Sequence, residues 1–166
     1  MKRAILTLFL SAAVVILISA YDRPHSDVRF SSGQFEIAQG DSIIPLSDTA
    51  GRNLLVTFWS SGDAVSRLSN IYYAAIARQN PALVHVGVNF DTSDDMFYEI
   101  LRRDNLTGDP MQYHVAGQNA ADMIRRYGLS RGFQTYMVSP DGNVVARNPS
   151  ADRIEAIVGS NMRGQS

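Results

Sequence analysis

The chain has 166 residues, of which 45% are hydrophobic and 19% are charged, enough for one globular domain with a buried core. Lys and Arg number 15 against 16 Asp and Glu, a formal net charge of -1, which excludes the basic surface typical of nucleic-acid-binding proteins. There is no cysteine, and Lys2 is the only lysine, so the rest of the chain lacks both a thiolate and an amine for covalent catalysis.

Residues 1–21 have the composition of an export signal. Lys2 and Arg3 precede an apolar run from Ala4 to Ala20, which predicts export to the periplasm. Two fates stay open, because Ile18-Ser19-Ala20 is a passable small-residue cleavage site and the length of the run also allows a signal anchor formed by residues 4–21. The polar stretch 22–33 predicts a linker, and residues 34–163 a single domain.

The domain begins with a predicted hairpin, residues 35–37 and 43–46, turning at Gly40-Asp41. Residues 54–59, Leu-Leu-Val-Thr-Phe-Trp, then predict a buried strand, followed by a Ser-Ser-Gly-Asp turn and a helix that starts at Asp63. A helix N-terminus has unpaired N–H groups and favours a negative charge, which Asp63 supplies.

The remaining chain predicts alternating elements. The first helix runs to about Gln79, and its 3.6-residue period predicts an inward face made of Leu68, Ile71, Tyr72, Ala75 and Ile76. A strand at 84–90 then completes a parallel βαβ unit. After it the sequence predicts a helix with Phe97, Ile100 and Leu101 inward, a short edge segment at 111–116, a helix opening at Asn119, a hairpin at 134–146 and a last helix from 149–152 onward.

The strand, turn and helix around Asp63 resemble thioredoxin-like proteins, in particular the extracytoplasmic thiol-disulfide oxidoreductases of the TlpA/ResA type. Their pattern is Phe-Trp-Ala-x-Trp-Cys-x-x-Cys. Laid on it, Asp63 and Ser66 take the places of the two cysteines, and Gly62 replaces the second Trp. The resemblance covers nearly all of residues 35–162. It implies an α/β thioredoxin-like fold, with a central mixed sheet of about four or five strands, helices on both faces and an N-terminal β-hairpin extension.

The resemblance also implies a cis-proline opposite the redox motif, just before the hairpin at 134–146. Here residues 131–135 are Arg-Gly-Phe-Gln-Thr, and either Phe133 or Gln134 takes the place of the proline. A cis bond at a non-proline residue costs about 3 kcal/mol, so we expect a trans bond and a remodelled loop.

Thiol-disulfide exchange needs a thiolate and a second, resolving sulfur, and neither is present. Helix capping is sufficient to explain both Asp63 and Ser66, while the charge of Asp63 could also mark a surface for a partner. Trp59 is either a core aromatic or a platform for a ligand. We expect a partner-binding groove at these degenerate positions, with a rim formed by Trp59, Gly62, Asp63, Ser66, Phe133 and Gln134.

The other chemically active residue types have structural interpretations. His85 and His114 lack metal-ligand spacing, and the run of acids at Asp91, Asp94 and Asp95 is typical of a helix cap and first turn, not of a calcium loop. A hydrolase built on Ser66 would lack the Gly-x-Ser-x-Gly elbow. The sequence predicts no metal and no cofactor.

Together these features predict an exported, redox-inactive thioredoxin-like domain that acts as a binding or assembly module for an envelope protein. Contact with the membrane is expected only through the N-terminal segment. The alternative, by family lineage, is a thiol-disulfide oxidoreductase that depends on a cysteine supplied by its partner.

Overall fold

A computed structural model of the protein describes residues 36–39, 42–45 and 51–163, with side chains from 51 to 160. The predicted leader and linker, and the turn at Gly40-Asp41, lie outside the described residues. Within the described part of the chain, no helix combines the length and apolar character that crossing a membrane requires.

The described chain forms a hairpin followed by a mixed five-stranded sheet with four helices. The elements are β1 (Glu36–Gln39), β2 (Ser42–Pro45), β3 (Asn53–Trp59), α1 (Ala64–Arg78), β4 (Leu83–Asn89), α2 (Asp94–Arg103), β5 (Gln112–His114), α3 (Gly117–Arg126), a 3-10 turn (Leu129–Arg131), β6 (Thr135–Val138), β7 (Val144–Arg147) and α4 (Ala151–Arg163). The strands β1 and β2 pair antiparallel, as predicted for the hairpin. The order in the larger sheet is β5-β4-β3-β6-β7, with β3 parallel to β4 and antiparallel to β6.

The central strand β3 is buried along its whole length, because helices cover both faces of the sheet. Alternate side chains of a strand point to opposite faces. Leu55 therefore joins the cluster that includes Met137 and Ile154, while Phe58 joins the cluster of α3 that includes Met123. This arrangement confirms the predicted α/β fold class and the predicted parallel βαβ unit.

One predicted boundary is wrong by two residues. The helix α3 begins at Gly117 and not at Asn119, and its N-cap residue, Ala116, makes no side-chain capping bond. Alanine is not a capping residue, so the sequence does not mark the start of the helix at Ala116. Asparagine favours the N-cap position, which is why the sequence predicts a start at Asn119.

The predicted inward face of α1 is correct for Ile71 and Ile76, which pack against the buried clusters, and wrong for Leu68, Tyr72 and Ala75, which are exposed. Leu68 is 66% exposed and Tyr72 45% exposed, whereas the buried residues of the helix are Ser66, Asn70, Tyr73 and Ala74. The reason is close packing of α1 on the sheet: a Cβ at Gly87 of β4 would lie 2.5 Å from Oδ1 of Asn70. Small side chains on α1 allow the helix to approach the sheet this closely. The 3.6-residue period of apolar residues contains no information about the distance between helix and sheet.

Tyr73 holds α1 in this orientation. Its ring belongs to the cluster with Leu55 and Met137, and its hydroxyl donates a hydrogen bond of 3.0 Å to the carbonyl of Pro149. Burial raises the pKa of this hydroxyl above its ordinary value, so it stays protonated and continues to donate.

Replacing the two adjacent tyrosines tests this orientation. Tyr73→Ala removes a buried ring and should lower the free energy of unfolding by about 3–5 kcal/mol, as for other buried aromatics. Tyr72→Ala removes an exposed ring and should cost about 1 kcal/mol or less. Urea unfolding of both variants measures the difference, and equal losses would contradict the orientation.

Candidate functional site

The turn between β3 and α1, residues 60–63, lies at the carboxyl end of the central strand. Asp63 is the N-cap of α1, with extended backbone angles (φ -107, ψ 99), and its carboxylate accepts the N–H of Ser66 at 3.0 Å. The carbonyl of Asp63 accepts the N–H of Arg67 at 3.0 Å, the first bond of the helix. The prediction that Asp63 starts a helix fed by an inner strand is confirmed.

Ser66 is 4% exposed and its hydroxyl has two partners. It donates to the carbonyl of Asp63 at 3.1 Å and accepts the N–H of Ser60 at 3.4 Å. A serine becomes nucleophilic only beside a base. The groups bonded to this hydroxyl are main-chain atoms, so the arrangement suits a structural role better than catalysis.

Asp91 fixes the position of the same turn from the end of β4. One carboxylate oxygen accepts both the N–H of Ser61 at 2.9 Å and its hydroxyl at 3.0 Å, and the other accepts the amide of Asn89 at 3.0 Å. The prediction that Asp91 belongs to the cap of α2 needs correction, because the N-cap is Ser93. The carboxyl ends of parallel β3 and β4 lie at one sheet edge, which is the signal that could have placed Asp91 beside Ser61.

His85 and His114 lie in separate parts of the structure. His114 bonds through one nitrogen to the carboxylate of Asp94 and through the other to the carbonyl of Asp91 at 2.7 Å. His85 bonds to the hydroxyl of Thr57 at 3.1 Å, and burial keeps the pKa of His85 below its ordinary value although the nearby Asp109 acts in the opposite direction. Both environments fit the predicted structural roles.

A cavity of about 210 Å³ lies between α1 and the loop before β6. It is lined by Phe58, Val65, Ser66, Ser69, Phe133, Gln134, Thr135 and Asn148. Three of the predicted groove residues therefore meet here: Ser66, Phe133 and Gln134. Sequence reasoning missed Val65, Ser69 and Asn148, although Val65 and Ser69 follow Asp63 on the first two turns of α1. That partners bind here stays a prediction.

Trp59 does not belong to this groove. Its side chain is fully buried, at 0% exposure, and packs against Phe97 with a ring-centroid distance of 6.3 Å. The strand alternation that directs Phe58 towards the cavity sends Trp59 to the opposite face of the sheet. Its predicted role at the rim is wrong, and the core interpretation is correct. Gly62, which is exposed in the turn, does not line the cavity, and neither does Asp63.

The loop before β6 has trans peptide bonds, as expected without a proline. Gln134 directly precedes β6, and its carbonyl accepts the N–H of Phe58 at 3.0 Å. Its side-chain oxygen accepts hydrogen bonds from Arg147 at 2.9 Å and Asn148 at 2.6 Å. Phe133 stacks on Phe90 with centroids 5.5 Å apart. These contacts form the remodelled loop that the missing proline predicts.

Comparison with solved structures shows that the chain has the thioredoxin-like fold. One similar structure is the C-terminal domain of a putative thiol-disulfide oxidoreductase from Bacteroides thetaiotaomicron, with a TM-score of 0.66 and 18% identity, covering 84% of this chain and 98% of that one. Another is a thioredoxin-like protein from Parabacteroides distasonis, with a TM-score of 0.60 and 24% identity, covering 66% of this chain and 81% of that one. A third is a putative thiol:disulfide interchange protein DsbE from Chlorobium tepidum, with a TM-score of 0.62 and 18% identity, covering 81% of this chain and 97% of that one. No protein-family model and no curated protein matches the sequence.

These similarities bear out the fold that the residues around Asp63 predicted. At such identities they establish the fold and not the chemistry. The solved structures are thioredoxin-like proteins and thiol-disulfide oxidoreductases, whereas the 166 residues of this chain contain no cysteine with which to form a Cys-x-x-Cys motif.

Removing the carboxylate of Asp91 tests its hold on the turn. Asp91→Ala leaves the N–H of Ser61 without its acceptor, which should cost about 1–3 kcal/mol locally and speed exchange of that amide by about 10–100-fold. Amide hydrogen exchange measures this. The matched control is Asp95→Ala, which removes an exposed carboxylate in the first turn of α2 and should leave Ser61 unchanged. Unchanged protection in Asp91→Ala would contradict the assignment.

Proposed function

We propose that this protein is a redox-inactive thioredoxin-fold module that binds a protein partner in the cell envelope through the groove between α1 and the loop before β6. The observation that carries the proposal is the pairing of Asp63 with Ser66. These residues stand where the resemblance places two cysteines, and they cap the helix with each other while the cavity beside them stays open.

Redox inactivity follows from the chemistry of the two positions. A carboxylate cannot form a disulfide, and the hydroxyl of Ser66 is buried and bonded to main-chain atoms. Thiol-disulfide exchange by this chain alone would need a sulfur that its sequence does not contain.

Protein binding is supported by the character of the groove. At about 210 Å³ the cavity is smaller than the roughly 300–1,000 Å³ of typical small-molecule sites. Val65, which lines it, is an apolar side chain that is 77% exposed. A small recess lined by both apolar and polar side chains suits one side chain of a partner better than a whole ligand.

The proposed envelope location rests on the leader composition of residues 1–21. A structure of the same fold, described as that of a secreted disulfide oxidoreductase from Mycobacterium tuberculosis, matches 76% of this chain with a TM-score of 0.58 and 16% identity. The proposal leaves both fates of the leader open, cleavage and anchoring.

Reduction of insulin by dithiothreitol tests the redox part. The unmodified chain should not raise the rate above that of dithiothreitol alone. The double variant Asp63→Cys, Ser66→Cys should raise it, because the helix N-terminus favours a thiolate at position 63 and position 66 supplies the resolving sulfur. The single variant Asp63→Cys is the control that lacks this sulfur. Catalysis by the unmodified chain would overturn redox inactivity.

Because the chain has no cysteine, a single introduced one tests location and groove together. Ser69→Cys places a thiol in the cavity, and Arg126→Cys places one at an exposed position of α3 that does not line the cavity. In cells with an intact inner membrane, a membrane-impermeant thiol-reactive photocrosslinker should label both. Only Ser69→Cys should then give a discrete adduct with another protein. Failure to label Arg126→Cys would refute the location, and equal adducts from both positions would refute the groove.

A further inference from the structure

A stripe of exposed apolar side chains continues from the groove along α1. It consists of Val65, Leu68 and Tyr72, which are 77%, 66% and 45% exposed. At 100° per residue these three lie within a sector of about 60°, and at 1.5 Å per residue the stripe is about 10 Å long. The residues described from 51 to 160 leave this sector uncovered, and so much apolar surface in one line is typical of an interaction site.

The polar side chains of the adjoining cavity are already bonded within the protein. Ser69 donates to the carbonyl of Val65 at 2.9 Å, and Asn148 donates to Gln134 and accepts the N–H of Thr135 at 2.8 Å. Ser66 and the hydroxyl of Thr135 are bonded in the same way. A polar ligand group would have to break these bonds, so the cavity favours an apolar occupant.

The stripe is also free of charge. The helix α1 contains no acidic residue, and its two charged side chains are Arg67 and Arg78. Arg67 lies on the side of α1 that faces α2, where its guanidinium bonds to the carboxylate of Asp104 at 2.8 Å. An electrically complementary partner surface is therefore apolar and uncharged.

The shape of the stripe selects the form of the partner. An extended segment needs main-chain hydrogen bonds, but the N–H and C=O groups of α1 are used within the helix. A second helix satisfies its own main chain and presents side chains at i, i+3 or i+4, and i+7, which spans the same length of about 10 Å. Three side chains from each of two copies fall far short of the roughly 20–30 residues a side that a stable dimer needs, so the stripe suits a transient contact with another protein.

We propose that α1 docks an amphipathic helix of the partner protein, whose apolar residues contact Val65, Leu68 and Tyr72 and place one side chain in the cavity beside Val65. This inference rests on the proposed binding function and specifies the class of partner. It assigns roles to Leu68 and Tyr72, which lie outside the groove itself.

Mapping crosslinks from single cysteines in the full chain tests the docking mode. The variants Leu68→Cys and Tyr72→Cys, carrying the same thiol-reactive photocrosslinker, should capture the protein that Ser69→Cys captures. The crosslinked partner residues should lie in one segment, three to four or seven positions apart. The matched control is Tyr98→Cys, on the exposed side of α2 and 60% exposed, which should not label that segment.

A charge introduced into the stripe gives a second measurement. In the Ser69→Cys chain, Tyr72→Glu should reduce the yield of the partner adduct at least tenfold, because it would bury an unpaired charge in the contact. Tyr98→Glu makes the same change at an exposed aromatic outside the stripe and should leave the yield unchanged. Circular dichroism of both variants should show an unchanged helix content, since both side chains are exposed.

The outcomes separate the two proposals. If Ser69→Cys captures a partner but positions 68 and 72 do not, or if Tyr72→Glu changes nothing, helix docking is wrong and the binding groove stands. Partner contacts two residues apart would indicate an extended segment and overturn the inference. Adducts with a second copy, or with residues 1–35 of the same chain, would also overturn it. If none of the three positions captures a protein, both proposals fail.

Discussion

Burial of β3 on both faces is the constraint on which the rest of the structure depends. All seven of its residues pair with β4, and the four from Leu54 to Thr57 also pair with β6 on the other side, so the strand is fixed within the sheet. The chain can leave it only at the sheet edge, where the turn at 60–63 delivers Asp63 to the start of α1. The same strand supplies Phe58 to the cavity and Trp59 to the core on the other face. The alternation of side chains along the strand therefore explains why Phe58 lines the cavity while its neighbour Trp59 lies in the core.

Polar groups hold the turn between β3 and α1 in several ways. Asp63 caps the helix, the hydroxyl of Ser66 bonds to the carbonyl of Asp63, and Asp91 reaches from β4 to bond Ser61 twice. Opposite the turn, Gln134 and Asn148 bond to each other beside the cavity. Each of these groups satisfies a donor or acceptor that would otherwise be costly to leave unpaired. The groove is thus maintained by hydrogen bonds that do not require redox chemistry.

The orientation of α1 connects packing to the proposed function. Small and polar residues, Ser66, Asn70 and Ala74, face the sheet because α1 lies close to Gly87. The larger apolar residues Leu68 and Tyr72 are consequently directed to solvent. A helix that exposes large apolar side chains has an energetic reason to acquire a partner, and the stripe begins at Val65, which lines the cavity. The close packing of α1 on the sheet and its apolar outer surface both result from the orientation of α1 about its own axis.

The sequence alone determined the order of the elements, the parallel unit of β3 and β4, the cap at Asp63 and the trans loop at 131–135, because these depend on local pattern and turn chemistry. The absence of cysteine was also evident there, from composition. Only the tertiary structure decided which side of α1 is buried, that Trp59 lies in the core, and that Asp91 holds Ser61. Those outcomes depend on how near two elements approach and which strand ends meet, and residues distant in sequence set both distances.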